Sequence, residues 1–137
     1  MNFSCWVVGF LFVYSFSVTV SPCLDNSEGF DQKVALTGTW RGHSICVDRS
    51  GGCRDEEVIY HIKEAAGSPE VNIDADKIVD GKTMNMGTLV FTYDKEKDLL
   101  TNNAGKNLWQ LAVNGNQIEG LLLRNGEIFG KMSLKKD

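Results

Sequence analysis

The first 24 residues carry no charged side chain; the first charge in the chain is Asp25. Across all 137 residues there are only two prolines, two histidines and four cysteines. Positive charge is in the minority, with 14 Lys+Arg against 18 Asp+Glu and a net charge of -4. Each shortage excludes something. A phosphate backbone asks for a clustered positive face, and Lys135-Lys136 is too short a run to supply one, so nucleic acid is excluded as a partner. A zinc site of the usual kind needs two Cys/His pairs at knuckle spacing, and only one Cys pair at a longer spacing is present. No stretch sustains a helical period of apolar residues, which excludes a bundle. The length leaves room for one domain.

What is present begins with an apolar leader. Residues 6–20 form a nearly continuous apolar run of roughly 15 residues, short for a spanning helix and suited to a signal-peptide core. Six of the 13 aromatics (Phe3, Trp6, Phe10, Phe12, Tyr14, Phe16) lie here. Small residues at Ser17, Thr19 and Ser21 follow, so residues 1–21 are read as a signal segment and 22–35 as a polar tether. An uncleaved anchor and a lipoprotein built on Val20-Ser21-Pro22-Cys23 are the alternatives. The expected location is secreted or periplasmic, with no membrane span once the signal is removed. Cys5 leaves with the signal; Cys23, Cys46 and Cys53 stay. Cys46 and Cys53 enclose a polar turn, Val47-Asp48-Arg49-Ser50-Gly51-Gly52, and paired strands bring opposed Cα atoms within bridging range. A disulfide between them is expected, with Cys23 left over.

From residue 36 onward, short alternating runs are broken by turn residues every 8–12 positions, the pattern of an all-β domain. Eight strands are expected, near 39–47, 57–63, 70–77, 86–93, 99–102, 108–113, 117–123 and 127–134. Val71, Ile73 and Ala75 alternate with Asn72, Asp74 and Asp76, and Ile128, Met132 and Leu134 align on one face. Asp80-Gly81, Asn114-Gly115 and Asn125-Gly126 are dipeptides whose residues tolerate positive φ, and they predict two-residue hairpin turns. Such connections are too short for parallel crossovers. Eight consecutive antiparallel strands bury one face best by closing on themselves, which also removes exposed edges. The expected fold is a single eight-stranded antiparallel up-and-down β-barrel over residues 36–137, with a two-sheet sandwich as second choice.

Gly38-Thr39-Trp40, a G-x-W at the start of the first strand, resembles the motif of lipocalin and wider calycin barrels. That resemblance implies that Trp40 packs across the closed base as a structural residue, with Arg124, Lys131 or Lys135 lying over it. A longer likeness, through Gly38-Thr39-Trp40-Arg41-Gly42, Cys46, Cys53-Arg54-Asp55-Glu56 and Tyr60-His61-Ile62, is to a group of small exported bacterial proteins. It implies export and fold and brings no activity with it. Small exported inhibitors of bacterial metalloproteases also combine G-x-W, eight strands and one disulfide, though with the bridge elsewhere.

Catalytic and metal-binding readings fail on the residues. His43 and His61 phase outward, and no Ser or Cys stands as a nucleophile beside either. A calcium loop from Asp76 would need ligands at Ile78 and Thr88, and neither supplies one. Asp55-Glu56-Glu57 reads as a solvated hairpin base, with a negative patch at one barrel mouth as the alternative. Tyr60, Leu89, Phe91, Tyr93, Trp109 and Ile128 phase inward, and a lipocalin-like reading makes them ligand-lining; the bland reading makes them core. The expected function is binding of a small apolar ligand inside the barrel, without cofactor, metal or catalysis. The alternative is a protein-interaction module, such as a protease inhibitor, acting through its loops or the tether.

Overall fold

A computed structural model describes residues 36–65 and 67–137, with Glu64 described by its backbone alone. The signal segment and the polar tether expected at 1–21 and 22–35 lie outside the described residues. Eight strands follow one another: β1 (Gly38–Cys46), β2 (Glu56–Glu64), β3 (Glu70–Val79), β4 (Lys82–Asp94), β5 (Leu99–Ala104), β6 (Asn107–Asn114), β7 (Gln117–Arg124) and β8 (Glu127–Lys136). Each pairs antiparallel with the next, and β8 returns to β1, so the sheet closes into a barrel. Ladder hydrogen bonds therefore run right round the wall, which is the reason a meander of this length closes instead of ending in two edges.

The turns set the register. Asp80 and Gly81 have φ of 50° and 74°, and Asn125 and Gly126 have 51° and 81°. Positive φ at both central residues matches the twist of the flanking strands, so each pair forms a two-residue loop. The Asp80-Gly81 turn starts β4 at Lys82, four residues earlier than the apolar pattern alone suggests. At the third hairpin the loop is Gly115-Asn116, because Asn114 still pairs with Gln117.

Alternation along the strands decides what lies inside. Trp40, Val58, Tyr60, Ile62, Val71 and Ile73 on β1–β3 are buried, and Phe91, Leu100, Leu111, Ile118 and Leu134 complete a continuous core from the other strands. Fully burying side chains of this size is worth about 1.5–3 kcal/mol each. Gly42 permits a close approach of β1 to β8: a Cβ there would stand 1.9 Å from the Ser133 carbonyl oxygen.

Two irregularities break the simple phase. A bulge between Ala75 and Asp76 shifts the β3–β4 register near Met86. A second, between Leu122 and Leu123, pairs Leu122 with Gly130 and Leu123 with Ile128. The extra residue, Phe129, reverses the phase of β8, so Ile128 is 41% exposed and does not align with Met132 and Leu134. The wall also parts in one place. β4 pairs with β5 only at Thr92, Tyr93 and Asp94, and, among the described residues, 82–91 are laddered on the β3 side alone, with the bulged Met86 unpaired.

Candidate functional site

The two ends of the barrel differ. At the base, the Trp40 indole Nε1 donates to the Leu36 carbonyl at 2.9 Å, and the buried ring seals the floor. The cation over that ring is Lys136, its Nζ 5.8 Å from the centroid, and not Arg124, Lys131 or Lys135. The Trp40–Lys136 ladder pair explains the choice, since directly opposed residues on adjacent strands share a face. Arg124 instead lies over Phe129, 3.7 Å from its centroid, at the other end.

Above the floor the inward side chains form one buried cluster. Tyr60, Phe91 and Tyr93 are 5%, 1% and 5% exposed and belong to the core cluster, with Leu89 packed against it. Burial pushes the Tyr60 phenol up to about 12, and the nearby Glu56 charge adds to the shift. Tyr93 also rises to about 12, through burial and then through its hydroxyl donating to Asp98 at 2.9 Å. These phenols stay neutral at ordinary pH. Of the six residues expected to line a ligand site, Tyr60, Phe91 and Tyr93 are core, Leu89 and Trp109 pack against it, and Ile128 faces outward. Ile128 borders a shallow space with Arg124 and Phe129, and Trp109 lines a separate, open one.

That space is a cup at the mouth, of about 380 Å³. Its apolar wall is Trp109, Leu122 and Phe129; its polar side is Ser44, Arg54, Glu56 and Lys77, with the Cys46–Cys53 bridge at the rim. Strand order produces this grouping. Glu56 and Lys77 continue the inward phase of Val58 and Ala75, at the ends of β2 and β3 where the core stops. Their ion pair, Lys77 Nζ to Glu56 Oε1 at 2.8 Å, is half-buried, with side chains 27% and 31% exposed. Arg54 makes no ion pair among the described residues. The three lining charges therefore sum to one positive, in a chain whose total is -4.

The β1–β2 loop that roofs the cup is held at several points. Cys46 and Cys53 are bridged as expected, with Cα atoms 6.0 Å apart. The Cys46 amide donates to Asp55 Oδ1 at 2.9 Å, and Arg49 donates to both Asp55 oxygens at 2.8 and 2.9 Å. Those donors hold the Asp55 carboxyl below the usual carboxylate range, the Cys46 amide first and Arg49 second. Ser50 closes a local turn on Asp48 through its amide and hydroxyl. Opposite Trp109 on β5, Asn102 donates from Nδ2 to the Val90 carbonyl at 2.7 Å, at the point where β4 and β5 part. Its Oδ1 is buried without a hydrogen-bond partner.

The histidines stay apart from this cup and from each other. His61 pairs with Thr39 at one end of the β1–β2 ladder, and His43 pairs with Glu57 at the other. His61 Nδ1 is 3.3 Å from Thr39 Oγ1 and Nε2 is 3.1 Å from Asp76 Oδ2, a polar chain on the outer wall. Beside it Lys63 donates to Asp74 at 2.7 Å, and Thr88 donates to the same carboxylate. Among the described residues no three His, Cys, Asp or Glu side chains are grouped to hold a metal. No helix among them is long and apolar enough to cross a membrane.

No family model and no curated protein matches the sequence. Among solved structures the chain is similar to the siderocalin Ex-FABP, described as functioning through dual ligand specificities. The identity is 12%, the TM-score 0.50, and the match covers 74% of this chain and 69% of that one. At that identity the likeness speaks for the fold: this is a lipocalin-like barrel.

Sequence reasoning missed Arg54, Lys77, Leu122 and Phe129 as cup residues, and reached Glu56 only as part of an acidic run at one barrel mouth. The signal for Lys77 was present, since the alternation of Val71, Ile73 and Ala75 carries on to it. The signal for Phe129 was not, because nothing in the local pattern announces the bulge.

Proposed function

We propose that this protein is a binding protein for a small amphipathic ligand, held in the cup at the barrel mouth. The observation that carries the reading is Trp109: an aromatic left partly uncovered over the buried core cluster, with Leu122 and Phe129 beside it and charged groups across from it. The cup's volume of about 380 Å³ falls at the small end of ligand sites, which run roughly 300–1,000 Å³. Apolar surface of the ligand lies on Trp109 and Phe129, and its polar head meets Arg54 and the Lys77–Glu56 pair. The ligand thus sits above the core and not deep within it. The ligand binding described for the siderocalin agrees with this use of the fold. Fold alone is a weak warrant, since one barrel hosts many roles; the cup carries the argument. The bridge across the roof supports a secreted or periplasmic location, where disulfides persist.

The test uses 8-anilinonaphthalene-1-sulfonate, an apolar anion, titrated against the purified protein. The expected result is one saturable site, weakened roughly tenfold or more by Trp109→Ala and by Arg54→Ala, and unchanged by Ile128→Ser on the outer wall. Binding that ignores both cup variants would sink the reading. Native mass spectrometry of the undenatured protein would then weigh any resident molecule directly.

A further inference from the structure

A closed barrel should have no edges, yet this one has a stretch of one. Beyond its three pairs with β5, β4 runs on toward the mouth with no described residue laddered on its second side. The Asn102 side chain takes the Val90 carbonyl, and there the cover ends. On this stretch Met84, Met86 and Val90 are 52%, 45% and 46% exposed, and Val79 on the adjoining strand is 38% exposed. These are four of the seven large apolar side chains left exposed among the described residues. Free edges are normally blunted by charge, proline or a bulge; residues 83–93 contain no charge and no proline, Lys82 and Asp94 flank them, and the bulge at Met86 is the one such device on the stretch.

We infer that the free edge of β4 is a self-association surface, occupied by the same edge of a second copy of this chain. An antiparallel edge is complementary to its own copy about a two-fold axis, since each strand offers the donors and acceptors the other lacks. Electrostatics favours the copy over a charged peptide. A chain of net charge -4 repels its like wherever acidic surfaces meet, and residues 83–93 form a strip free of charge on both partners. A charged peptide would find no opposite charge along that strip. Met84 and Met86 are flexible thioethers that adapt to an opposing surface, and in the pair they lose the water they now face.

Sedimentation velocity on the purified protein, from about 1 to 200 μM, tests this, a range in which edge-paired contacts of modest area dissociate. The expected result is a concentration-dependent monomer–dimer equilibrium. Val90→Lys and Met86→Lys each raise its dissociation constant at least roughly tenfold, one charge buried in the seam sufficing. Both positions are exposed, so circular dichroism and thermal unfolding of the variants should match the parent. Ile128→Lys, exposed on β8, should leave the dimer intact. A monomer across the whole range overturns the inference. So does a dimer that survives both lysines, or one that Ile128→Lys abolishes. Dye binding in the cup is read separately, so the two conclusions stand or fall independently.

Discussion

Gly42→Ala offers the sharpest test of how tightly this barrel closes. A Cβ at Gly42 would lie 1.9 Å from the Ser133 carbonyl oxygen, 2.8 Å from its carbon and 2.9 Å from the Leu134 Cα. All three are backbone atoms of β8, so no rotamer change relieves the clash. Reaching ordinary van der Waals distance requires β8 to retreat by about 1.5 Å. β8 is laddered to β1 at His43–Ser133 and Gly42–Leu134, and to β7 at Glu119–Ser133, so the retreat strains both seams. Overpacking costs about 1–3 kcal/mol, and each stretched hydrogen bond adds about 1. The variant's stiffer unfolded chain returns about 0.4–1 kcal/mol. The net loss is about 2–4 kcal/mol, or a Tm drop of at least roughly 10 °C for a domain of this size. Gly120→Ala is the control. Its Cβ would meet Met132 Cγ at 2.4 Å and Leu111 Cδ2 at 2.6 Å, side-chain atoms that can move. Its expected cost is smaller, about 1–2 kcal/mol. Urea unfolding followed by tryptophan fluorescence, with the disulfide intact, gives both numbers. A Gly42→Ala protein within about 0.5 kcal/mol of the parent would refute the reasoning. A Gly120→Ala protein that is the less stable of the two would do the same.

Removing the bridge by Cys46→Ala with Cys53→Ala should cost about 2–3 kcal/mol by loop-entropy reasoning, read as a lower urea midpoint. Dye affinity should fall with it, because the loop roofs the cup. Acid should also weaken the fold. Donors hold Asp48, Asp55, Asp74 and Asp94 below the usual carboxylate range, for Asp74 chiefly Lys63 and then Thr88. Because the folded values are the lower ones, the unfolded chain binds these protons first. The stabilisation is complete above about pH 5 and is lost as the pH falls through and below 4. Thermal scans from pH 7 to pH 2 should show this decline, and Asp74→Asn should flatten it; an unchanged slope would count against the Lys63–Asp74–Thr88 cluster.

The fold was largely legible because turns and alternation carry it locally. Asp80-Gly81 and Asn125-Gly126 each demanded positive φ at two consecutive residues, and the chain used them so. The site was less legible, for reasons particular residues show. Tyr60, Phe91 and Tyr93 do point inward, but inward phase cannot say whether a side chain fills a core or faces a void. That depends on how many large residues meet at one level, a property of the closed barrel and of no single strand. Ile128 lies on the outer face because the bulge at Phe129 reverses the phase of β8 there. Lys136 was passed over because the cation above Trp40 is chosen by β1–β8 register, and those strands are the farthest apart in sequence.

That last pairing has a kinetic consequence. The seam between β1 and β8 is fastened at its end by the Asp137 amide donating to the Thr39 carbonyl at 3.0 Å, and by Arg41 on the Asp137 carboxylate at 2.8 Å. Hairpins such as β3–β4 and β7–β8 can form as soon as their residues exist, but the floor beneath Trp40 is completed only when residues nearly a hundred positions later arrive. Closing so long a loop is entropically slow. During synthesis the barrel therefore remains an unrolled ribbon with both outer strands bare, vulnerable to pairing with its neighbours, until its final strand is made.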